Sequence, residues 1–94
     1  MIWYTYILLC RDRSFYVGHT SDLAERIKLH CYGSATRFTA MRRPVKLVYY
    51  EEFIIQSEAI NREKQIKKWS KAKKHALIRN DLKQLQTLSK RHTA

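Results

Sequence analysis

Ile2-Trp3-Tyr4-Thr5-Tyr6-Ile7-Leu8-Leu9-Cys10 carries no charge, in a chain where nineteen Lys and Arg face only eight Asp and Glu. So uncharged a stretch in so basic a chain belongs in the interior. Its aromatic and β-branched residues suit a pleated strand. Arg11-Asp12-Arg13-Ser14 supplies a polar turn. Phe15-Tyr16-Val17 reads as the returning strand of a hairpin, stopped at Gly18. The rest of the fold has to pack onto this hairpin.

Thr20-Ser21-Asp22 offers helix N-cap chemistry, and Asp22 with Glu25 has capping-box spacing. Leu23, Ile27 and His30 then fall on one helical face, with Arg26 among them. This helix should end near Tyr32-Gly33. Residues 34–44 read as a basic loop holding Arg37, Arg42 and Arg43. Residues 45–54 form a third strand, with Val45, Leu47, Tyr49 and Phe53 alternating onto one face and Glu51 as the exception. Ser57 can cap a second helix bearing Ala59, Ile60, Glu63, Ile66 and Trp69 at helical spacing. Ser70 can cap a third over residues 71–79. A last helix is predicted over residues 80–90, with Leu82, Leu85 and Leu88 facing inward. The order β-β-α-β-α-α(-α) implies an α/β (α+β) fold: a short, mainly antiparallel three-stranded sheet flanked by helices.

Ninety-four residues, 45% of them hydrophobic, suffice for one compact core, so residues 1–94 are expected to form one domain. Two glycines and one proline leave little room for linkers. The net charge of +11 favours a polyanionic partner. No apolar run approaches the roughly 20 residues that span a bilayer, so a membrane partner is not expected. The N-terminal run has no basic residue before it and no small-residue cleavage site after it, so it does not read as a signal peptide. Cys10 and Cys31 lack zinc-site spacing and read as reduced thiols of a cytoplasmic protein.

Glu63 stands out because it lies between Ile60 and Ile66 on an apolar stripe. A carboxylate turned toward a core is costly unless paired or bound to a metal. Pairing with Arg62 or Lys67 is the plain alternative. Arg26 offers a planar cation suited to phosphate oxygens, or a snorkelling side chain. His30, one turn on, is either a satisfied core histidine or a catalytic group sharing a face with Arg26. Tyr6 and Tyr16 sit on facing strands of the hairpin, where Tyr is common anyway. Lys64, Lys67, Lys68, Lys71, Lys73 and Lys74 form either a solvated helix face or a phosphate-backbone track. Trp69 within that run reads as core more readily than as a base-stacking platform.

Taken together, these residues resemble the GIY-YIG nuclease superfamily, and within it the small stand-alone bacterial single-domain proteins. Trp3-Tyr4-Thr5-Tyr6-Ile7-Leu8 and Phe15-Tyr16-Val17-Gly18 look like the two name-giving motifs. Residues 20–27 look like the family helix that presents the catalytic Arg, and residues 58–68 like the helix that presents the metal-binding Glu. Arg37-Phe38-Thr39, Arg43-Pro44 and Leu47-Val48-Tyr49-Tyr50-Glu51 also resemble that subfamily. The likeness covers residues 3–78. Tyr4 stands where many relatives have Gly, Val17 replaces Ile, and His19 stands where repair-type relatives often have Lys.

The resemblance implies a metal-dependent DNA endonuclease that leaves 5′-phosphate and 3′-hydroxyl ends. It assigns Glu63 to one divalent cation, Mg2+ or Mn2+, and Arg26 to transition-state charge. Tyr6, or else Tyr16, accepts a proton from the attacking water. His30 orients Tyr6 or a phosphate, or relays the proton. His19, Arg37, Arg42, Arg43, Lys64, Lys67, Lys68, Lys71 and Lys74 are the candidate nucleic-acid contacts. With one site and no duplex-reading motif, single-stranded or locally opened DNA is favoured as substrate. A homo-oligomer or a repair-protein partner could add recognition. The rival reading is a non-catalytic nucleic-acid-binding module of a DNA repair or processing complex. An RNA-directed role is a third.

Overall fold

The computed structural model describes residues 1–80. The predicted last helix lies outside them, apart from Asn80 in the turn that closes the final described helix. The strands are β1 (Trp3–Cys10), β2 (Phe15–Thr20) and β3 (Val45–Phe53). The helices are α1 (Leu23–Tyr32), α2 (Arg37–Ala40), α3 (Gln56–Lys67) and α4 (Lys71–Ile78). The sheet order is β2-β1-β3 with both pairings antiparallel. The uncharged N-terminal run is therefore the central strand, and Thr5, Tyr6, Ile7 and Leu8 are buried in succession.

Successive residues of β1 point into two different cores. Tyr6, Leu8 and Cys10 join Val45, with Tyr16 and Leu47 from the sheet and Leu23 and Ile27 from α1 packed against them. Ile7 joins Val17, Ile66 and Leu77 on the other face, beneath α3 and α4. Each fully buried aliphatic side chain such as Ile66 contributes about 1.5–3 kcal/mol of apolar burial. Thr5 Oγ1 donates to the Ala59 carbonyl at 2.8 Å, tying α3 to the same face.

Local chemistry sets the helix ends. The Asp22 carboxylate accepts from the Glu25 amide at 3.1 Å, as the capping-box spacing predicts. Gly33 ends α1 in the left-handed region at φ 80, a conformation glycine adopts without strain. Ser70 caps α4 by accepting from the Lys73 amide. Ser57 does not cap α3. That helix starts at Gln56 with Ile55 as its cap residue and no side-chain cap bond, so Ser57 lies inside the first turn.

Three further expectations change. β2 does not stop at Gly18 but runs through it to Thr20, with Gly18 paired to Tyr6. The basic loop contains the short helix α2, capped by Thr36. The alternation in β3 is interrupted by a bulge: Ile7 pairs with Tyr49 but Leu8 with Leu47, leaving Val48 unpaired. An extra residue flips the facing of everything beyond it. Val45 and Leu47 therefore face α1, while Tyr49 faces α3. Glu51 then stops being an exception. It meets Arg62 of α3 in a two-pronged pair, both contacts at 2.9 Å, and accepts from the Tyr49 hydroxyl.

Gly18 is a point of close approach rather than a strand stop. A Cβ there would sit 2.5 Å from the Tyr6 hydroxyl oxygen and 2.7 Å from its ring. Tyr6 is fully buried and has nowhere to retreat. Gly18→Ala should therefore cost about 1–3 kcal/mol in urea unfolding, the usual price of overpacking. Wild-type stability in that variant would show that the Tyr6 ring is not held where described.

Candidate active site

The hairpin register puts Tyr16 opposite Leu8 and Gly18 opposite Tyr6, so both phenols project to the α1 side. Tyr6 and Tyr16 lie with ring centroids 6.4 Å apart. α1 inserts His30, also fully buried, between them and α2. Its ring centroid is 5.7 Å from Tyr6 and 5.1 Å from Tyr16. The Tyr6 hydroxyl and His30 Nε2 are 2.8 Å apart, a normal hydrogen bond. Arg26 is half-buried on α1, one turn before His30.

The electrostatics show which groups converge. Burial pushes the Tyr6 hydroxyl far above its ordinary value, and Tyr16 adds to that rise. Arg26 opposes both, while Glu63 adds a smaller upward push. Tyr6 thus feels the other three groups that the sequence singled out with it. Burial, and then Arg26, push the His30 imidazole down to about 4. At neutral pH the pair is a neutral phenol on a neutral imidazole.

Glu63 sits on α3, the helix layer opposite α1. Its side chain is 15% exposed. One oxygen contacts His19 Nδ1 at 2.6 Å and the other Lys67 Nζ at 2.7 Å. Burial alone would raise its carboxyl, yet the hydrogen bonds from Lys67 and His19 hold it below the usual range. Glu63 is therefore ionised. Of the two pairings weighed from the sequence, Lys67 is the one formed; Arg62 belongs to Glu51. His19, expected at nucleic acid, is also the partner of Glu63. β-strand alternation turns it to the α3 side while Gly18 faces Tyr6.

The donor set suits a hard divalent cation. An anionic oxygen donor at a partly open position, with Lys67 half-exposed and free to swing away, is what Mg2+ or Mn2+ accepts. Among the described residues no three His, Cys, Asp or Glu side chains surround a common point. A cation at Glu63 would thus keep most of its coordination for water and substrate oxygens, as Mg2+ commonly does.

The basic residues divide. Arg42 contacts Asp12 at 3.1 Å and stacks 3.8 Å from the Phe38 ring. Arg43 donates to the Ala40 carbonyl at 3.1 Å and rests against Gly33. These two close their own loop, whereas Arg37 is exposed. Lys64 and Lys68 are exposed and line a cleft of about 400 Å³ with Asn61, Gln65, Trp69 and Lys73. Lys71 is exposed, and burial lowers the Lys74 ammonium. Trp69 packs against the Ile66 core, with Arg62 and Lys73 over its ring at 5.0 and 4.1 Å. The arginine segment lies with α1 and the lysine segment on α3 and α4, on opposite faces of the sheet.

Residues 2–76 match the GIY-YIG catalytic domain. The chain belongs to the GIY-YIG family. It is 47% identical over 75 residues to a UPF0213 protein of Staphylococcus saprophyticus, covering 80% of this chain and 92% of that one. A UPF0213 protein of Clostridium perfringens is 48% identical over 75 residues, covering 80% and 81%. The fold matches the solution NMR structure of a UPF0213 protein from Bacillus halodurans at TM-score 0.56 and 38% identity, over 86% of each chain. A second NMR structure, of a protein from E. faecalis, matches at TM-score 0.56 and 32% identity, over 100% of this chain and 90% of that one. GIY-YIG domains are in general endonuclease domains that use divalent metals. The family resemblance and the three-stranded antiparallel fold therefore stand.

Two residues beside His30 carried no role in the sequence, although Thr39 ends the motif Arg37-Phe38-Thr39. Thr39 is fully buried and lies 2.8 Å from His30 Nδ1. Thr36 lies 2.8 Å from Thr39, hydroxyl to hydroxyl. Their spacing, Thr36-Arg37-Phe38-Thr39, is a helix-cap signature hidden in the basic segment.

The buried imidazole makes stability depend on pH. Unfolded, His30 takes a proton near 6.5; folded, only near 4. Between those values the unfolded chain binds the extra proton, so stability falls with falling pH. The contribution is complete above 6.5 and gone below about 4. Urea unfolding at pH near 4.5 and at neutral pH should show the wild type losing roughly 2–3 kcal/mol more than His30→Gln. Parallel losses in the two proteins would mean that His30 is not held neutral.

Proposed function

We propose that the chain is a divalent-metal-dependent DNA endonuclease that hydrolyses phosphodiester bonds to 5′-phosphate and 3′-hydroxyl ends. The observation that carries this reading is the cluster of Tyr6, Tyr16 and His30 on the α1 side, with His30 bonded to the Tyr6 hydroxyl and Arg26 one turn before it; the charges of Arg26 and Glu63 act on the same hydroxyl. Glu63 would hold the Mg2+ or Mn2+, which would supply Lewis-acid stabilisation of the charge that grows on the phosphate. Lys67 and His19 keep the carboxylate ionised and ready for that role. Arg26 presents a guanidinium suited to two phosphate oxygens at once. Tyr16 is the half-buried phenol, within reach of water, while Tyr6 is sealed inside. Tyr16 therefore meets the attacking water, and Tyr6 with His30 behind it receives the proton. Cationic neighbours are what allow a phenol, with an ordinary value near 10, to work this way.

The exposed Lys64, Lys68 and Lys71, with Arg37 on the far face, are the phosphate contacts this reading favours. Both Glu63 and the basic cleft beside Trp69 belong to α3 and its neighbour α4, so a flexible single strand can run from one to the other. No duplex-reading motif such as a helix-turn-helix or zinc finger accompanies that surface among the described residues. The free thiols of Cys10 and Cys31 fit a cytoplasmic location.

One observation favours a non-catalytic binding module instead: both Glu63 oxygens already have cationic or imidazole partners. Substitution separates the two readings. Glu63→Ala, Arg26→Ala, Tyr6→Phe and Tyr16→Phe should each lower turnover by roughly 100-fold or more while affinity for a labelled single strand changes little, because each group acts in the chemical step. Arg26→Lys should recover only part of the rate. Cleavage by wild type that survives excess chelator, or affinity that falls in step with rate, would contradict the assignment.

A further inference from the structure

The bond between Tyr6 and His30 continues past the imidazole. His30 Nδ1 lies 2.8 Å from Thr39 Oγ1, and that oxygen lies 2.8 Å from Thr36 Oγ1 and 3.4 Å from the Thr36 carbonyl. Tyr6, His30 and Thr39 are each 0% exposed. We propose that Thr39 is a positioning residue: it fixes the tautomer of His30 with the hydrogen on Nδ1, leaving Nε2 bare to receive the proton of Tyr6. The consequence for turnover rests on the nuclease reading, whereas the tautomer does not.

Hydrogen counting sets the direction of the chain. Tyr6 has one hydroxyl hydrogen, and its partner among the described residues is His30 Nε2. A buried hydroxyl hydrogen with no acceptor is costly. Tyr6 therefore donates, and Nε2 must be the unprotonated nitrogen. A neutral imidazole then carries its hydrogen on Nδ1. That hydrogen needs an acceptor, and Thr39 Oγ1 is placed to accept it. Thr39 in turn sends its own hydrogen on to Thr36, at either the hydroxyl or the carbonyl oxygen. With the opposite tautomer, Nε2–H would point at Tyr6 and strand the phenol hydrogen.

α2 holds the threonine in place. Thr36 Oγ1 accepts the Thr39 amide at 3.2 Å, so the helix cap fixes the side chain that fixes His30. The same four-residue helix sets Phe38 beside Tyr16, ring centroids 5.9 Å apart. A helix too short to add much stability thus shapes the surroundings of both phenols.

The proton step balances without any further reactant. As the water's proton reaches Tyr6 by way of Tyr16, the Tyr6 O–H bond breaks and an N–H bond forms at His30 Nε2, so the phenol ends neutral and the imidazole as imidazolium. The Nδ1 hydrogen stays on its nitrogen and keeps pointing at Thr39 Oγ1, whose lone pair steadies the new cation. Valine at this position would keep the shape and remove the acceptor. Serine would keep it.

Long-range proton–nitrogen correlation spectra of nitrogen-15-labelled full-length protein at neutral pH read the tautomer directly, without substrate. The expected wild-type pattern is a protonated Nδ1 and a bare Nε2. Thr39→Val should shift His30 toward the other tautomer, and Thr39→Ser should restore it. In cleavage assays Thr39→Val should lower kcat roughly 10–100-fold, the range seen when an imidazole loses its outer hydrogen-bond partner, with KM nearly unchanged. Thr39→Ser should recover most of that. A protonated Nε2 in the wild type, or wild-type His30 nitrogen shifts in folded Thr39→Val, would overturn the proposal. If Thr39→Val does not fold, the wild-type and Thr39→Ser spectra still decide. The expected tautomer in a protein that cuts no DNA would support the positioning role and overturn the nuclease reading.

Discussion

One buried hydrogen bond organises this protein: the 2.8 Å contact between the Tyr6 hydroxyl and His30 Nε2. It joins the central strand to α1 through two side chains that are both fully buried. Its requirements reach outward through the fold. The Tyr6 ring needs the space that Gly18 leaves open. His30 needs an acceptor on its far side, and α2 brings Thr39 to it. Both groups need to be neutral, and burial ensures that they are. A polar pair in such a place is costly if half satisfied and rigid if fully satisfied. Here every member has a partner.

Charge is arranged around that neutral centre. Arg26 lies on the α1 side and Glu63 on the α3 side, and both act on the Tyr6 hydroxyl in opposite directions. Glu63 stays ionised despite its burial because Lys67 and His19 bond to it. A carboxylate so held is both a ready cation ligand and a restrained one. A cation bound at Glu63 would have to compete with the half-exposed Lys67, so metal affinity there would depend on how freely the lysine leaves. The sheet is thin enough for groups on its two faces to act on one hydroxyl.

Much of this was legible in the residues. The uncharged run of β1 marked the central strand, and the hairpin placed Tyr6 and Tyr16 on one side. The 3.6-residue period set Arg26 and His30 toward that side, with Asp22 and Gly33 bounding their helix. The rest depended on packing. Leu47-Val48-Tyr49-Tyr50 is apolar throughout, so nothing in its pattern marks Val48 as a bulge. His19 and Glu63 are separated by 44 residues, and only the docking of α3 on β2 brings them together. Ser57 looked like a cap because serine favours that position, yet the chain already turns helical at Gln56. Thr39 carried a readable cap signal in Thr36-Arg37-Phe38-Thr39, obscured by the arginines around it.

Cleavage of an end-labelled single strand in oxygen-18 water, with Mg2+ or Mn2+ and with excess chelator, tests most directly whether these groups together hydrolyse a phosphodiester. The expected result is metal-dependent cutting with the heavy oxygen on the new 5′-phosphate and an unlabelled 3′-hydroxyl. Heavy oxygen on a 3′-phosphate, or no metal-dependent cutting by protein that binds the strand, would contradict it.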